Sequence, residues 1–292
     1  MQQFLNLTLN GVVVGAVFAA FALTLVLIFR ATRIINFGQG AQAMFSTYLA
    51  LELIQNGQSY WLAFVVALTS GFLLGGIVER LIVRRVETGP EINAVIVTLG
   101  VFVGFIALAS ILFGNRLEAF PAPFSLNGIT VGSTDLALTP TDLYRLVAVL
   151  IAMGLLLALF QLTSLGLQLR ASAFGQEVAR LLGVRVGRML TLGWALAGMF
   201  GALAGILIAS GNPVSPNFMD GIVVFGFVAA VLGGLDSFVG AVVGGLVLGL
   251  TTTYVSGYLA SSLTTLAALA ILIVVLLLKP GGLFSSSVAR KV

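Results

Sequence analysis

The side chains that carry most enzyme chemistry are missing from this chain. Its 292 residues contain no cysteine and no histidine, which excludes a thiolate nucleophile, an imidazole base, a disulfide framework and a Cys/His metal site. The two lysines, Lys279 and Lys291, lie outside any glycine-rich phosphate loop, so a nucleotide site of that type is absent as well. Ten acidic residues remain, yet no two are placed at helical spacing on one buried face, as paired acid–base catalysis requires. Glu52, Asp220 and Asp236 are the candidates for ion coupling, and each falls near the end of an apolar run rather than at mid-membrane. The residues that can still do chemistry do it by binding. Asn36, Gln39 and Gln42 bring amides to Asn36-Phe37-Gly38-Gln39-Gly40 and its sequel, while Asn217 and Asp220 bring an amide and a carboxylate to Asn217-Phe218-Met219-Asp220-Gly221. Such groups hold and release a polar solute without breaking its bonds. Energised work then needs a partner or an ion gradient.

The elements that position these residues are membrane spans. Hydrophobic residues make up 59% of the chain and charged residues only 8%, where a soluble domain averages about 25% charged. The composition indicates an all-α polytopic membrane protein. Apolar runs of spanning length cover about 8–29, 60–83, 92–113, 143–163, 188–210 and 262–278, with shorter or glycine-interrupted candidates at about 36–55, 220–234 and 237–255. That makes about nine spans, within eight to ten. The first run is long enough to span and lacks a basic leader, so it reads as a helix and not a cleaved signal. With nine spans, every basic residue except Arg116 and Arg145 falls on one side, and the positive-inside rule puts the N-terminus outside and the C-terminus in the cytoplasm. The net charge of +4 is thus a topology signal and no nucleic-acid footprint. The loop 114–142, punctuated by Pro121, Pro123, Asn127-Gly128 and Pro140, is external and should form turns or short extended pieces.

The two polar segments echo one another. Each follows a long span and precedes a span bearing a glycine ridge, Gly71-xxx-Gly75-Gly76 or Gly240-xxx-Gly244-Gly245, whose small residues allow close helix approach. Five spans separate the units, so the repeat is inverted, with approximate halves at 8–113 and 188–278. Paired short segments in corresponding halves point to a translocation pathway, because irregular backbone survives at membrane depth only inside protein or against a water-filled cavity. The alternative for Asn36 and Asn217 is that each simply caps a helix.

A third polar segment lies between the halves. Residues 166–188 carry Arg170, Glu177, Arg180, Arg185 and Arg188, with Phe174, Val178, Leu181 and Leu182 at i, i+4, i+7 and i+8. The pattern predicts one amphipathic helix over about 173–183, N-capped by Ser172 and closed by Gly183. At roughly 15 Å it covers half a bilayer core. It is expected on the cytoplasmic surface, its apolar face anchored and its polar face presented to the soluble side.

Taken together, these features resemble a known family. Asn10-Gly11-xxx-Gly15-Ala16, Ile35-Asn36-Phe37-x-x-Gly40, Glu79-Arg80-xxx-Arg84-Arg85 and Thr98-Leu99-Gly100 in the first half are similar to the LivH-type permeases of branched-chain amino acid ABC importers. Gly166-xxx-Arg170-Ala171, Ala179-xxx-Gly183-Val184, Leu196-Ala197-Gly198, Leu232-Gly233-Gly234 and Lys279-Pro280-xx-Leu283-Phe284 continue the likeness over nearly the full length. The resemblance implies a single permease domain over 1–292 in a bacterial inner membrane, paired with a second, related permease. It further implies two cytoplasmic ATPases and an external binding protein. ATP and Mg would then be bound by the ATPases, and this chain would hold no cofactor. It gives 166–188 the role of a coupling segment, through Arg170, Ser172, Phe174, Glu177, Arg180 and Gly183. The pathway suggested by the paired segments is expected to include Asn36, Phe37, Gln39, Gly40, Gln42, Thr98, Asn217, Phe218 and Asp220. Two departures bear on cargo. The family usually has His where this chain has Gln39 and an acid where it has Ala41, and an acid common near Thr251-Thr252-Thr253 is missing. Leucine, isoleucine and valine are the expected cargo, with urea or short amides as the alternative. An ion-coupled carrier, a passive channel and an intramembrane enzyme are the rivals from other classes.

Overall fold

The computed structural model describes residues 2–86, 89–131, 134–136 and 138–284; Arg290 and Lys291, counted above in the basic tail, lie outside them. The order is α1 (Gln2–Thr32), α2 (Gln39–Gln55), α3 (Tyr60–Leu81), α4 (Glu91–Phe113), β1 (Glu118–Ala119), β2 (Ile129–Val131), β3 (Thr134–Leu136), α5 (Pro140–Leu162), α6 (Ser164–Phe174), α7 (Gln176–Leu181), α8 (Val186–Ala209), β4 (Pro213–Val214), α9 (Asp220–Gly233), α10 (Phe238–Tyr258) and α11 (Thr264–Leu278). Local chemistry marks the boundaries. Thr139 and Asp142 form a reciprocal capping box around Pro140 at the start of α5, and the Ser59, Thr163 and Ser237 hydroxyls accept from the first turns of α3, α6 and α10.

Seven of the described helices are long and apolar enough to cross a membrane: α1, α3 with its 3₁₀ extension, α4, α5, α8, α10 and α11 with the turn before it. The segment at 237–255, expected to be short, is the full-length α10 of 21 residues. The other two short candidates differ in kind. With 17 residues in α2 and 14 in α9, they reach only about 26 and 21 Å, less than the ~30 Å hydrocarbon core.

The core runs along α1 and α8, whose apolar windows are each 78% buried, against 6% for α11. Two seams dominate. α1 packs most extensively on α10, and α8 on α3. Both seams bring backbones together. A Cβ on Gly15 would lie 2.7 Å from the Leu246 Cα, and one on Gly75 would run into the Trp194 carbonyl. Gly71 meets Gly198 in the same way, and Gly249 meets Gly15. α2 packs on α3, α8 and α4, while α9 packs on α10, α1 and α11. At one end of the bundle, β1 pairs with β4 and β2 with β3, the short extended pieces that the turn formers of 114–142 predict.

Candidate translocation pathway and coupling surface

The break between α1 and α2 gathers the first set of amides. Arg33 ends α1 with φ +60, the one positive φ of a non-glycine among the described residues. Asn36 then folds back on the chain: its Oδ1 accepts from Gly38 N (3.0 Å), while its Nδ2 donates to Gln39 Oε1 (2.9 Å) and Gln42 Oε1 (3.2 Å). Gln39 Nε2 donates to the Ala197 carbonyl of α8 at 2.7 Å. Asn36, Gln39, Gln42 and Thr98 are all buried, and the Thr98 hydroxyl is spent on the Val95 carbonyl of its own helix (3.0 Å). Gln42 Nε2 is buried without a partner. The amides of Asn36 and Gln39 are thus spent on one another, on Gln42 and on α8. Asn36 is also no simple N-cap, since Gly38 occupies that position with no side-chain bond of its own.

The second set opens α9. Met219 is the N-cap, and Asn217 Nδ2 donates to Asp220 Oδ2 at 3.1 Å on the surface. The opening turns of the two short helices meet, because Gly40 sits directly against Val223 and leaves no space for a Cβ. Phe37 stacks on Phe227 of α9 with ring centroids 6.2 Å apart. The broken segments are therefore neighbours in space, although 181 positions separate Asn36 from Asn217 in sequence.

Two cavities flank this region. The larger, about 560 Å³, lies among the first half of α1, the start of α5, the end of α8 and the start of α9. Its wall is apolar, with Val17, Phe18, Phe218, Ile222 and Phe225, and its polar groups are Asn10, Asp142, Arg145 and Asn212. The smaller, about 220 Å³, lies at the far end of α1 against the start of α4, lined by Phe29, Arg33, Ile34, Ile35, Pro90 and Val95 among others. Of the expected pathway residues, Phe218 alone lines either cavity.

The central segment differs from its expectation. It is two helices, α6 and α7, broken at Gly175, whose φ and ψ of −160° and 89° are not helical. Ser172 lies inside α6 and is fully buried, so it caps nothing; the α6 cap is Thr163, and α7 has no side-chain cap. Gly183, with φ +82, closes the turn after α7 and lets Val184 N reach the Ala179 carbonyl (2.9 Å). Among the described residues, the apolar face packs on no other helix of the bundle. Phe174, Val178, Leu181 and Leu182 are 72%, 62%, 87% and 77% exposed, while Ala179, Val186 and Leu190 form the buried contact. The small Ala179 fits under α7 beside α8, which turns the large side chains outward. Arg33 ties this segment to the rest: its guanidinium lies 4.5 Å from the centroid of the Phe174 ring and pairs with Asp236, between α9 and α10, at 2.8 Å.

A family model described as the branched-chain amino acid transport system / permease component matches residues 7–278. The chain belongs to that family. The permease is 28% identical to the high-affinity branched-chain amino acid transport system permease protein LivH of Salmonella typhimurium, over 99% of this chain and 98% of that one. It is 26% identical to the corresponding BraD protein of Pseudomonas aeruginosa, over 100% and 99%. Among solved structures, PsaBC from Streptococcus pneumoniae in complex with Fab aligns with a TM-score of 0.48 and 16% identity, over 92% of the permease and 89% of that chain.

Several residues of structural consequence in the permease were given no site role by the sequence. Arg84 and Glu79, quoted above in a motif but given no role there, are joined: Arg84 donates from Nε to Glu79 Oε1 (3.0 Å) and from Nη2 to the Gly187 carbonyl (2.6 Å), while the Thr191 hydroxyl donates to Glu79 Oε2 (2.7 Å). This knot pins α3 to the start of α8, just beyond α7. Arg145 satisfies the other end of α8 by donating to the Leu207 carbonyl (3.0 Å) and the Ser210 carbonyl, and it pairs with Asp142 at 2.7 Å. The i, i+3 spacing of Asp142 and Arg145 was the available sequence signal.

Proposed function

We propose that the permease forms, together with a second permease chain, the membrane pathway of an ATP-binding-cassette importer for branched-chain and other apolar amino acids. Two cytoplasmic ATPases drive it with ATP and Mg, and an external binding protein delivers the cargo. The observation that carries this reading is the exposed apolar crest Phe174–Leu182 on a chain of this family. Large side chains left open at the bundle's basic end need an apolar partner, and an ATPase groove on the cytoplasmic side is that partner. Glu177, Arg180 and Arg185 are exposed around the crest and supply its polar rim.

The proposed topology has nine membrane segments, the seven long helices plus α2 and α9, with the N-terminus outside. The charge distribution supports it. Arg33 touches α6, and Arg84 touches the start of α8; Arg145 holds the opposite end of α8. The basic residues thus divide between the two ends as the positive-inside rule requires. Motion of the crest reaches the pathway through Arg33, which joins Phe174 to the segment 33–38 and to Asp236. Rocking of one unit against the other would then open and close the plug of amides.

Apolar amino acids suit the larger cavity, whose aromatic and aliphatic wall gives a side chain dry surface. Urea and short amides would depend on the amide plug, whose hydrogen bonds are largely internal. The test is uptake by the reconstituted importer with its binding protein outside. We expect ATP-dependent accumulation of labelled leucine, at least tenfold above labelled urea, and none without the ATPases. Leucine transport in the ATPases' absence would sink the ABC reading; urea in leucine's place would change the cargo.

A further inference from the structure

We infer that Asp142 and Arg145 read the zwitterionic head of an α-amino acid in the larger cavity while its side chain lies on the apolar wall; this rests on the amino-acid reading above. Both side chains are nearly removed from water, at 14% and 13% exposure, where an ion pair needs further hydrogen bonds to offset its desolvation. Structural duties use only part of their bonding capacity. Arg145 spends Nε on Leu207, Nη2 on Ser210 and Nη1 on Asp142, three of the five N–H groups of a guanidinium. Among the described residues, Asp142 Oδ2 accepts from the Thr139 amide (3.0 Å) and hydroxyl (2.8 Å), whereas Oδ1 accepts from Arg145 alone. The pair therefore retains N–H donors for a carboxylate and a lone pair for an ammonium.

The match extends to charge and size. The pair is neutral overall, as is a zwitterion, so arrival and departure of cargo leave no uncompensated charge in a low-dielectric site. About 560 Å³ falls within the usual ligand-pocket range of roughly 300–1,000 Å³. Val17, Phe18, Ile222 and Phe225 offer the apolar surface, and a solute without a side chain would leave it wet. Discrimination comes from the paired groups: a ligand lacking carboxylate or ammonium strands one of them.

The experiment uses the assembled transporter in nanodiscs, without the binding protein, and measures labelled leucine retained in competition with unlabelled leucine, leucinamide and isocaproate. Leucinamide lacks the carboxylate, and isocaproate lacks the ammonium. We expect each analogue to compete at least tenfold more weakly than leucine. Asp142→Asn keeps an acceptor for the Thr139 amide and should bring isocaproate within threefold of leucine. Val17→Phe, which leaves both helix caps alone, should weaken unlabelled leucine at least threefold more than unlabelled alanine, added as a fourth competitor. Equal competition by the three compounds would overturn the inference. So would variants that shift every ligand by one common factor, since a purely structural pair predicts that. Missing leucine binding in a complex that still accumulates leucine also overturns it, whereas failure of leucine accumulation itself removes the cargo assignment beneath it.

Discussion

Gln39 bonds in two directions, accepting a hydrogen bond from Asn36 Nδ2 and donating one to the Ala197 carbonyl across the α2–α8 contact. Its position was legible as a polar residue in a membrane segment, but polarity alone does not separate a side chain that meets solute from one that closes the protein on itself. That distinction depends on α8, which lies 158 residues away in sequence. At this scale the expectation is a stability effect with a transport effect behind it. Gln39→Ala strands the buried Ala197 carbonyl and leaves Asn36 Nδ2 only its bond to Gln42, and leaving a buried partner unpaired costs about 1–3 kcal/mol. Thermal unfolding in one detergent should show a lower midpoint for Gln39→Ala, with reduced uptake in vesicles. An unchanged midpoint with reduced uptake would make Gln39 a solute contact and not part of the plug.

At the scale of elements, the segment α6–α7 shows both the reach and the limit of periodicity. The i, i+4, i+7, i+8 spacing placed Phe174, Val178, Leu181 and Leu182 on one face, and they do share the exposed side of the segment. Spacing alone left undecided which way that face points, because a bilayer surface and a partner groove are both apolar destinations. The break at Gly175 and the small Ala179 against Val186 and Leu190 turn it away from the bundle. On the proposed reading, in which an ATPase groove receives it, the coupling contact is packing rather than charge. Leu181→Asp with Leu182→Asp should reduce co-purification of the ATPases and substrate-stimulated ATP hydrolysis at least tenfold. Reversing Glu177 and Arg180 together should cost less than threefold, since exposed ion pairs at a rim are each worth about 1 kcal/mol or less. The opposite ranking, measured on the same reconstituted complex, would return the contact to the charged pair.

The whole molecule is arranged as two sets of four helices, α1–α4 and α8–α11, and their contacts correspond. α1 packs on α10 as α8 packs on α3; α2 touches α3, α4 and α8 as α9 touches α10, α11 and α1. That correspondence supports reading the polar echo as an internal repeat. Five residues showed it in sequence because the features it preserves are few: a break, a short helix, and a glycine ridge on the helix that follows. Gly75 and Gly76 turn this into a test with opposite signs at adjacent positions. A Cβ on Gly75 collides with the Trp194 carbonyl and comes within 3.2 Å of Ala195 Cα, whereas on Gly76 it meets Thr191 and Ala195 side chains at 3.5 and 3.6 Å, ordinary contact. Alanine at an open helical position gains roughly 0.5–1 kcal/mol over glycine, while overpacking against backbone costs about 1–3 kcal/mol or more. Gly76→Ala should therefore raise the unfolding midpoint slightly and Gly75→Ala should lower it. Gly249→Ala, whose Cβ would collide with the backbone of Gly15 in the other seam, should behave like Gly75→Ala. Both seams join one set of four helices to the other, so rocking of the sets against each other during transport must shear them. Gly75→Ala and Gly249→Ala should then lose more uptake than folded protein, as uptake per correctly assembled complex will show.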